Sequence, residues 1–196
     1  WNTDSSDIPM NAIRCLLQSR DGYLWAGTYE GLCRFDGLRF TVFDKSNTAA
    51  IQNNSMRVMV EGPDGALWIG TPNGVLCRRD GTFRNYTEAD GLAGNFIVSL
   101  CFDARGVLWV GSTEGLSRWQ EDKFARVGLS ASGKSTYVSA LCANQQGTLW
   151  GGTDAGLFAL RGGVLVPQKL PSAGNAESAI WSLYDTPDGT LWIGTG

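Results

Sequence analysis

The sequence predicts an all-β fold, a β-propeller built of four-stranded antiparallel blades of about 42 residues each. A motif of the form D-G-x-L-W-x-G-T returns along the whole chain at a nearly constant period. Its tryptophans are 43, 41, 41 and 42 residues apart, at Trp25, Trp68, Trp109, Trp150 and Trp192. The 26 glycines and eight tryptophans indicate tight turns between aromatic-rich strands, and they argue against a helical repeat of similar length. We therefore expect residues 1–196 to form a single propeller region.

Within one repeat, four short strands should follow one another as a meander. Residues 12–18 form an apolar run that ends near Asp21-Gly22, where Asp-Gly predicts a type I′ turn with positive φ at both central residues. Residues 23–28 form the second strand, and turns at Gly31 and at Asp36-Gly37 lead to the third and fourth. This pattern places blades at residues 12–44, 56–87, 97–128 and 138–168, with an incomplete fifth blade at 179–196.

The first strand of each repeat is apolar on both faces, which favours a sheet packed between two neighbours. Counted back from the hairpin glycine, two adjacent positions are apolar in nearly every copy, for example Leu16 and Leu17 or Met59 and Val60. Adjacent residues point to opposite faces of a strand, so both faces need cover. We expect the repeated tryptophan to fill the space between blades. We expect the glycines two residues after it to leave room for a neighbour's ring; these are Gly27, Gly70, Gly111 and Gly152.

Charge, histidine and cysteine content exclude several functional classes. The net charge of −3 and the absence of any basic run make nucleic acid an unsuitable partner. With no histidine, the chain cannot supply a histidine base or a histidine-ligated metal, and we expect no cofactor. The five cysteines never form C-x-x-C and lie in apolar runs, as small buried hydrophobes do. Cys101 and Cys142 hold equivalent repeat positions on neighbouring blades, which disfavours a disulfide between them.

Candidate ligand-binding residues lie at the start of the first strands, the end that faces the central channel of a propeller. Eight residues before the hairpin glycine stand Arg14, Arg57 and Trp181. Arginine can bind an anion through bidentate hydrogen bonds, and tryptophan can stack on a sugar ring. The hypothesis adds four polar contacts in the preceding loops, Asn11, Asn54, Asn95 and Tyr137. The alternative is that these residues form hydrogen bonds between blades and line a watery channel.

Carboxylates offer a second chemistry, because a pair at a suitable separation can hydrolyse a glycosidic bond. Glu30, Glu114 and Asp154 lie in loops between the second and third strands, whereas Glu61, Asp103 and Asp185 precede the hairpins. These side chains recur with the repeat. Repetition favours hydrogen bonds in turns and at strand ends, so we expect no catalytic residue and no enzyme.

These repeats resemble the bacterial two-component regulator propeller family, whose repeat has an apolar strand, D-x-x-G-x-L-W-x-G-T, then G-L and a short strand that ends near Asp-Gly. Residues 64–71 and 188–195 match the central part, and residues 31–37 match the part that follows. The likeness covers the chain from end to end in five copies. Kelch repeats and Trp-Asp repeats fit less well, since their Gly-Gly and Trp-Asp signatures do not occur in register.

The resemblance implies a seven-bladed ring, of which this chain covers about four and a half blades. It also implies an extracytoplasmic, periplasmic ligand-sensing domain of a membrane-anchored receptor, with a membrane tether and a histidine kinase or diguanylate cyclase outside this chain. The ligand would be a small molecule or a glycan-like compound. Two alternatives stay open: a propeller that mediates protein–protein interaction or dimerisation, and a propeller glycosidase or lyase.

Four and a half blades leave two terminal sheet faces that no neighbour covers. We therefore expect the chain, when produced alone, to form a homodimer through the propeller or through the faces where blades are missing. Static light scattering should give the mass of two copies. A well-folded, strictly monomeric species would contradict this expectation.

Overall fold

The computed structural model describes residues 12–128, 137–144, 146–161, 164–170 and 179–196. Residues 1–11 and the intervening gaps, Asn11 included, lie outside the described residues. The described chain is all β, except for one short 3-10 turn at Glu88–Asp90. It divides into two compact units: residues 1–87 with 95–97 form unit 1, and residues 88–94 with 98–196 form unit 2.

Unit 1 contains two four-stranded antiparallel sheets, each a meander in chain order. Blade 1 consists of β1 Ile13–Gln18, β2 Leu24–Thr28, β3 Leu32–Phe35 and β4 Phe40–Phe43. Blade 2 consists of β5 Val58–Glu61, β6 Leu67–Thr71, β7 Gly74–Arg79 and β8 Thr82–Tyr86. Both blades have the strand order that the repeat predicts.

Unit 2 contains two further sheets of the same kind and one sheet of two strands. Blade 3 consists of β9 Ile97–Phe102, β10 Leu108–Ser112, β11 Gly115–Gln120 and β12 Lys123–Val127, although Ile97 itself belongs to unit 1. Blade 4 consists of β13 Val138–Ala143, β14 Leu149–Thr153, β15 Gly156–Arg161 and β16 Val164–Gln168. The half blade consists of β17 Ile180–Asp185 and β18 Leu191–Thr195. The predicted all-β propeller architecture is confirmed.

The first hairpin of each blade does not have the predicted type I′ turn. In blade 1, Gly22 has φ of 90°, whereas no positive φ occurs at Asp21. The Gly22 N–H donates to Ser19 O at 2.9 Å, and the Ser19 N–H donates to Tyr23 O at 2.9 Å. This is a type I turn followed by a left-handed glycine, the usual three-residue hairpin loop. Arg20 is the extra residue that makes the loop too long for a type I′ turn.

Type I′ geometry occurs instead between the third and fourth strands of blades 2 and 3. Asp80 has φ of 50° and Gly81 has φ of 79°, so both central residues are left-handed. Glu121 and Asp122 adopt the same conformation at φ of 52° and 59°, without a glycine. Aspartate tolerates this region better than most side chains, which suits Asp80 and Asp122. The Asp-Gly signal therefore identified the turns correctly but not always their type.

The repeated tryptophan of blade 1 fills the space between blades 1 and 2. Trp25 is 1% exposed, and its Nε1–H donates to Ser19 Oγ at 3.1 Å. The residues buried with it come mainly from blade 2 and the segment before it: Leu32, Ile51, Met56, Met59, Leu67, Ile69 and Leu76. Burial of such a side chain stabilises the pair of sheets by roughly 1.5–3 kcal/mol or more. The predicted role of the tryptophan is confirmed here.

Unit 2 repeats this arrangement between blades 3 and 4. Trp109 is buried, and its Nε1–H donates to Asp103 Oδ2 at 2.9 Å. Its cluster combines side chains from both blades, namely Leu116, Val138, Leu149, Phe158 and Leu160. Gly151 lies directly against the Phe158 ring, so the missing side chain of one strand makes room for a larger residue on the next.

The glycines two residues after the tryptophans do not make room for a ring, which corrects the prediction. A Cβ at Gly27 would lie 2.8 Å from Met56 Cβ, and one at Gly70 would lie 2.8 Å from Ile97 Cγ2. The neighbour in each case is an apolar residue at or just before the start of the next first strand. A hydrogen bond from Met56 N to Thr28 O, at 2.8 Å, accompanies this close approach.

Two sheet faces are exposed to solvent in the part of the chain that the structure describes. Leu16 on β1 is 59% exposed, and Trp192 on β18 is 65% exposed, together with Tyr184 beside it. No sheet among the described residues covers either face. The exposure of Trp192, the fifth repeat tryptophan, therefore agrees with the expectation that the terminal sheet faces have no neighbour.

Gly111→Ala tests the close approach between blades in unit 2. The new Cβ would lie 2.7 Å from Val138 O and would also meet Ser99 Oγ, which itself donates to Val138 O. Overpacking against backbone should lower the free energy of unfolding by about 1–3 kcal/mol in urea titrations. Gly128→Ala is the matched control, because nothing lies within 4 Å of that position. Equal effects of the two substitutions would contradict the argument.

Candidate ligand-binding site

Two arginines in unit 1 stack on aromatic rings at the edge where the first strands begin. The Arg14 Cζ lies 4.5 Å from the centroid of the Tyr29 ring, and the Arg57 Cζ lies 4.5 Å from the centroid of the Phe96 ring. Arg14 is on β1, and Arg57 stands directly before β5, at the corresponding repeat position. Stacking engages the face of a guanidinium, whereas its N–H donors point outward in its plane. The geometry suits arginines that are held in place to bind an anion.

The asparagines of the candidate set have structural contacts. Asn54 Oδ1 accepts a hydrogen bond from Lys45 N at 2.9 Å, which ties the loop before β5 to the end of blade 1. The Asn95 carbonyl accepts from Gly74 N at 2.7 Å. The Asn54 bond agrees with the alternative that such loop residues order the chain at the strand start, whereas the Asn95 bond is made by its backbone. Asn11 lies outside the described residues.

Tyr137 and Trp181 come together in unit 2. Their ring centroids are 6.4 Å apart at an interplanar angle of 65°, an edge-to-face contact. Trp181 is exposed, whereas Tyr137 is half-buried. Tyr137 directly precedes β13, the position that Phe96 has before β9. The described candidates therefore form local clusters: two arginine–aromatic pairs in unit 1 and one aromatic pair in unit 2.

Sequence reasoning missed Tyr29 and Phe96, the aromatic partners of the two arginines. Tyr29 follows the repeat threonine, where the other copies have Pro72, Thr113 and Asp154. It is partly exposed, as Phe96 is. An aromatic residue at a position that varies between copies can indicate a functional residue, since the repeat itself does not require an aromatic side chain there.

Two of the carboxylates that could suggest catalysis, Glu61 and Asp103, hold turns together. Glu61 Oε1 and Oε2 accept from Arg20 N at 3.2 and 3.1 Å. Asp103 Oδ1 accepts from Arg105 N at 2.9 Å and from Val107 N at 3.0 Å, and its Oδ2 accepts from Trp109. The arrangement favours a scaffold role for these groups. No cluster of acidic or cysteine side chains that could hold a metal ion occurs among the described residues.

All five cysteines are free thiols, and burial makes them poor nucleophiles. Burial raises the pKa of Cys15, Cys33 and Cys77 to about 11 and that of Cys101 to about 12. Burial also raises the pKa of Cys142. Because the thiolate is the reactive form, none of these groups suits covalent catalysis.

The chain matches a known family model at intervals that follow the repeat. The model is described as "Two component regulator propeller", and it matches residues 7–30, 50–73, 91–114 and 176–196. No curated protein is significantly similar to the sequence. In the part of the chain that the structure describes, no helix is long and apolar enough to cross a membrane.

Solved structures share the fold at low sequence identity. The extracellular domain of the putative hybrid two component system BT3049 from B. thetaiotaomicron is 21% identical with a TM-score of 0.79, over 100% of this chain and 27% of that one. The extracellular domain of BT4673 from the same organism is 22% identical with a TM-score of 0.79, over 97% and 27%. Virginiamycin B lyase from Staphylococcus aureus is 16% identical with a TM-score of 0.73, over 95% and 64%. This chain thus spans about a quarter of the length of the two extracellular domains.

The raised thiol pKa values predict slow chemical modification of the folded chain. At about pH 8, a thiol with a pKa near 11 has about a hundredfold less thiolate than one near 9. Ellman's reagent should therefore react slowly with the native chain and rapidly with all five thiols in guanidinium chloride. Fast stoichiometric reaction of the native chain would contradict the burial.

The same values fix the sign of the pH dependence of stability. A thiol pKa that is higher in the folded than in the unfolded state contributes stability at pH below about 9, the ordinary pKa of an unburied thiol. This contribution is lost as the pH rises toward about 11. The free energy of unfolding should therefore fall over this range, and replacing Cys33 with alanine should reduce the slope.

Proposed function

The chain belongs to the two component regulator propeller family, and we propose that it is part of a non-catalytic, extracytoplasmic propeller domain that binds a small ligand for a bacterial signal-transduction receptor. The extracellular domains of a putative hybrid two component system and of a putative one component system share its fold, which supports this location. Arg14 and Arg57, stacked at corresponding positions of neighbouring blades, are the observation that carries the proposal.

The chemistry of this edge favours a ligand with an anionic group, such as an acidic sugar. Two guanidinium groups in unit 1 would supply paired donors to a carboxylate or sulfate. Tyr29 and Phe96 restrict the guanidinium groups to one plane each, so less side-chain freedom is lost on binding. In unit 2, the exposed Trp181 offers a ring face on which a sugar could stack.

A protein-interaction role is the second candidate, because three large aromatic side chains of the half blade are exposed. Trp181, Tyr184 and Trp192 are 56%, 63% and 65% exposed. Exposed aromatic residues of this size are enriched in protein–protein interfaces. A partner on this face would bind independently of Arg14 and Arg57.

Arginine substitutions separate the two candidates. We expect a screen of neutral and acidic sugars by thermal shift to detect an acidic ligand, and isothermal titration to show weaker binding by Arg14→Ala and by Arg57→Ala. Loss of a charge-assisted hydrogen bond should weaken binding about tenfold for each substitution.

Arg39→Ala is the matched control, because Arg39 is an exposed arginine in the turn between β3 and β4. Its affinity for the ligand should equal that of the parent chain. Unchanged affinity in both the Arg14 and the Arg57 variants would remove the proposed site. Loss of self-association in Trp192→Ser, with unchanged arginine variants, would support the interaction role instead.

A further inference from the structure

In unit 1, a long side chain bridges the first hairpin turns of blades 1 and 2. Arg20 Nη1 donates to Pro63 O at 3.0 Å, and Arg20 Nη2 donates to Gly62 O at 2.9 Å. The Arg20 backbone N–H also donates to the Glu61 carboxylate. We call the space between the first hairpin turns of two adjacent blades the slot.

Three more side chains fill this slot in unit 1. The Arg34 guanidinium lies 4.5 Å from the Tyr23 ring centroid and 6.0 Å from that of Trp25. The Arg78 guanidinium lies 5.1 Å from the Trp25 ring centroid. The Nε atoms of Arg34 and Arg78 are buried without a hydrogen-bond partner among the described residues, so the ring faces are their principal contacts. The slot between blades 1 and 2 is thus packed with cations and rings.

The corresponding slot in unit 2, between blades 3 and 4, lacks most of these large side chains. Strand register identifies the equivalent positions, since Arg34 pairs with Trp25 as Arg118 pairs with Trp109. Three of the four side chains are smaller here: Ala104 replaces Arg20, Val107 replaces Tyr23, and Leu160 replaces Arg78. Arg118 alone is retained, and it is exposed.

A pocket of about 140 Å³ occupies the place of the missing side chains. Its lining combines apolar groups with two arginines and includes Ala104, Arg105, Val107, Trp109, Arg118 and Leu160. A dry cavity of about 150 Å³ is known to accept a benzene ring. The pocket therefore has room for one six-membered ring, the group that Tyr23 supplies in unit 1.

We propose that this pocket binds a small aromatic carboxylate. Its ring would lie against Arg118 as the Tyr23 ring lies against Arg34, and its carboxylate would pair with Arg105 at the pocket mouth. Asp103 also lines the pocket, but both of its oxygens accept hydrogen bonds from its own blade. With two arginines and a single carboxylate, the pocket lining has a net positive charge, which favours binding of an anion.

The pocket is distinct from the edge proposed above for ligand binding. It lies at the hairpin turns, whereas Tyr137 and Trp181 precede or begin the first strands of their blades. A six-residue strand separates the two ends by about 20 Å. Binding in the pocket therefore does not depend on Arg14, Arg57 or Trp181, and failure of one proposal leaves the other intact.

Four small probes test the proposal on the whole chain: benzoate, benzamide, cyclohexanecarboxylate and acetate. The indole N–H resonance of Trp109, assigned by Trp109→Phe, is the reporter, because that N–H donates to Asp103 at the pocket wall. Benzoate should shift the resonance with a Kd on the order of 1 mM. Benzamide and cyclohexanecarboxylate should bind more weakly, and acetate should give no shift.

Substitutions then test the assigned roles. Ala104→Arg, which restores the side chain of Arg20 at an exposed position, should fill the pocket and weaken benzoate binding about tenfold or more. Arg118→Met should weaken benzoate and benzamide alike, whereas Arg105→Gln should weaken benzoate alone. Lys123→Gln removes an equal charge elsewhere on blade 3 and should leave Kd unchanged.

Unchanged benzoate binding in Ala104→Arg, with native circular dichroism, would overturn the proposal. So would the absence of any benzoate-dependent shift of the Trp109 resonance in the parent chain, or equal shifts by all four probes. If Lys123→Gln raised the Kd for benzoate as much as Arg105→Gln does, benzoate binding would reflect only general electrostatic attraction. That result would also overturn the proposal.

Discussion

Burial of both faces of every sheet is the constraint on which the structure depends. Within each unit, the tryptophan of one blade covers the aliphatic face of the next, as Trp25 does in unit 1 and Trp109 in unit 2. Gly27 permits the next first strand to approach until Met56 N bonds to Thr28 O. Apolar burial and a backbone hydrogen bond thus stabilise the same contact, and the repeat preserves the residues that both require.

The period of the repeat predicted the strands, their order and the buried tryptophans, because each follows from local pattern. It could not predict which atoms crowd a glycine, since Gly70 meets Ile97 some 27 residues later in the chain. The predicted type of the first hairpin turn was wrong for a related reason. An Asp-Gly pair fits two geometries, and the number of loop residues, set by the strand register around Arg20, selects between them.

Functional residues were harder to predict than the scaffold, because they depend on departures from the repeat. Register identified Arg14 and Arg57 as equivalent, but Tyr29 and Phe96 stand at positions where the copies differ. The two slots show the same principle, since one scaffold supports a packed gap in unit 1 and a pocket in unit 2. A repeated fold keeps its core while single side chains at its edges diverge.

The outer strands of the blades have a consequence for solubility. Each is the last strand of its meander, so one row of its backbone N–H and C=O groups has no partner within the sheet. Blade 2 carries Arg84 on this strand, and blade 3 carries Lys123, both exposed. Blade 4 has Pro167 instead, which removes a donor. Charge repulsion in two sheets and a missing N–H in the third discourage edge-to-edge association with a strand of another molecule.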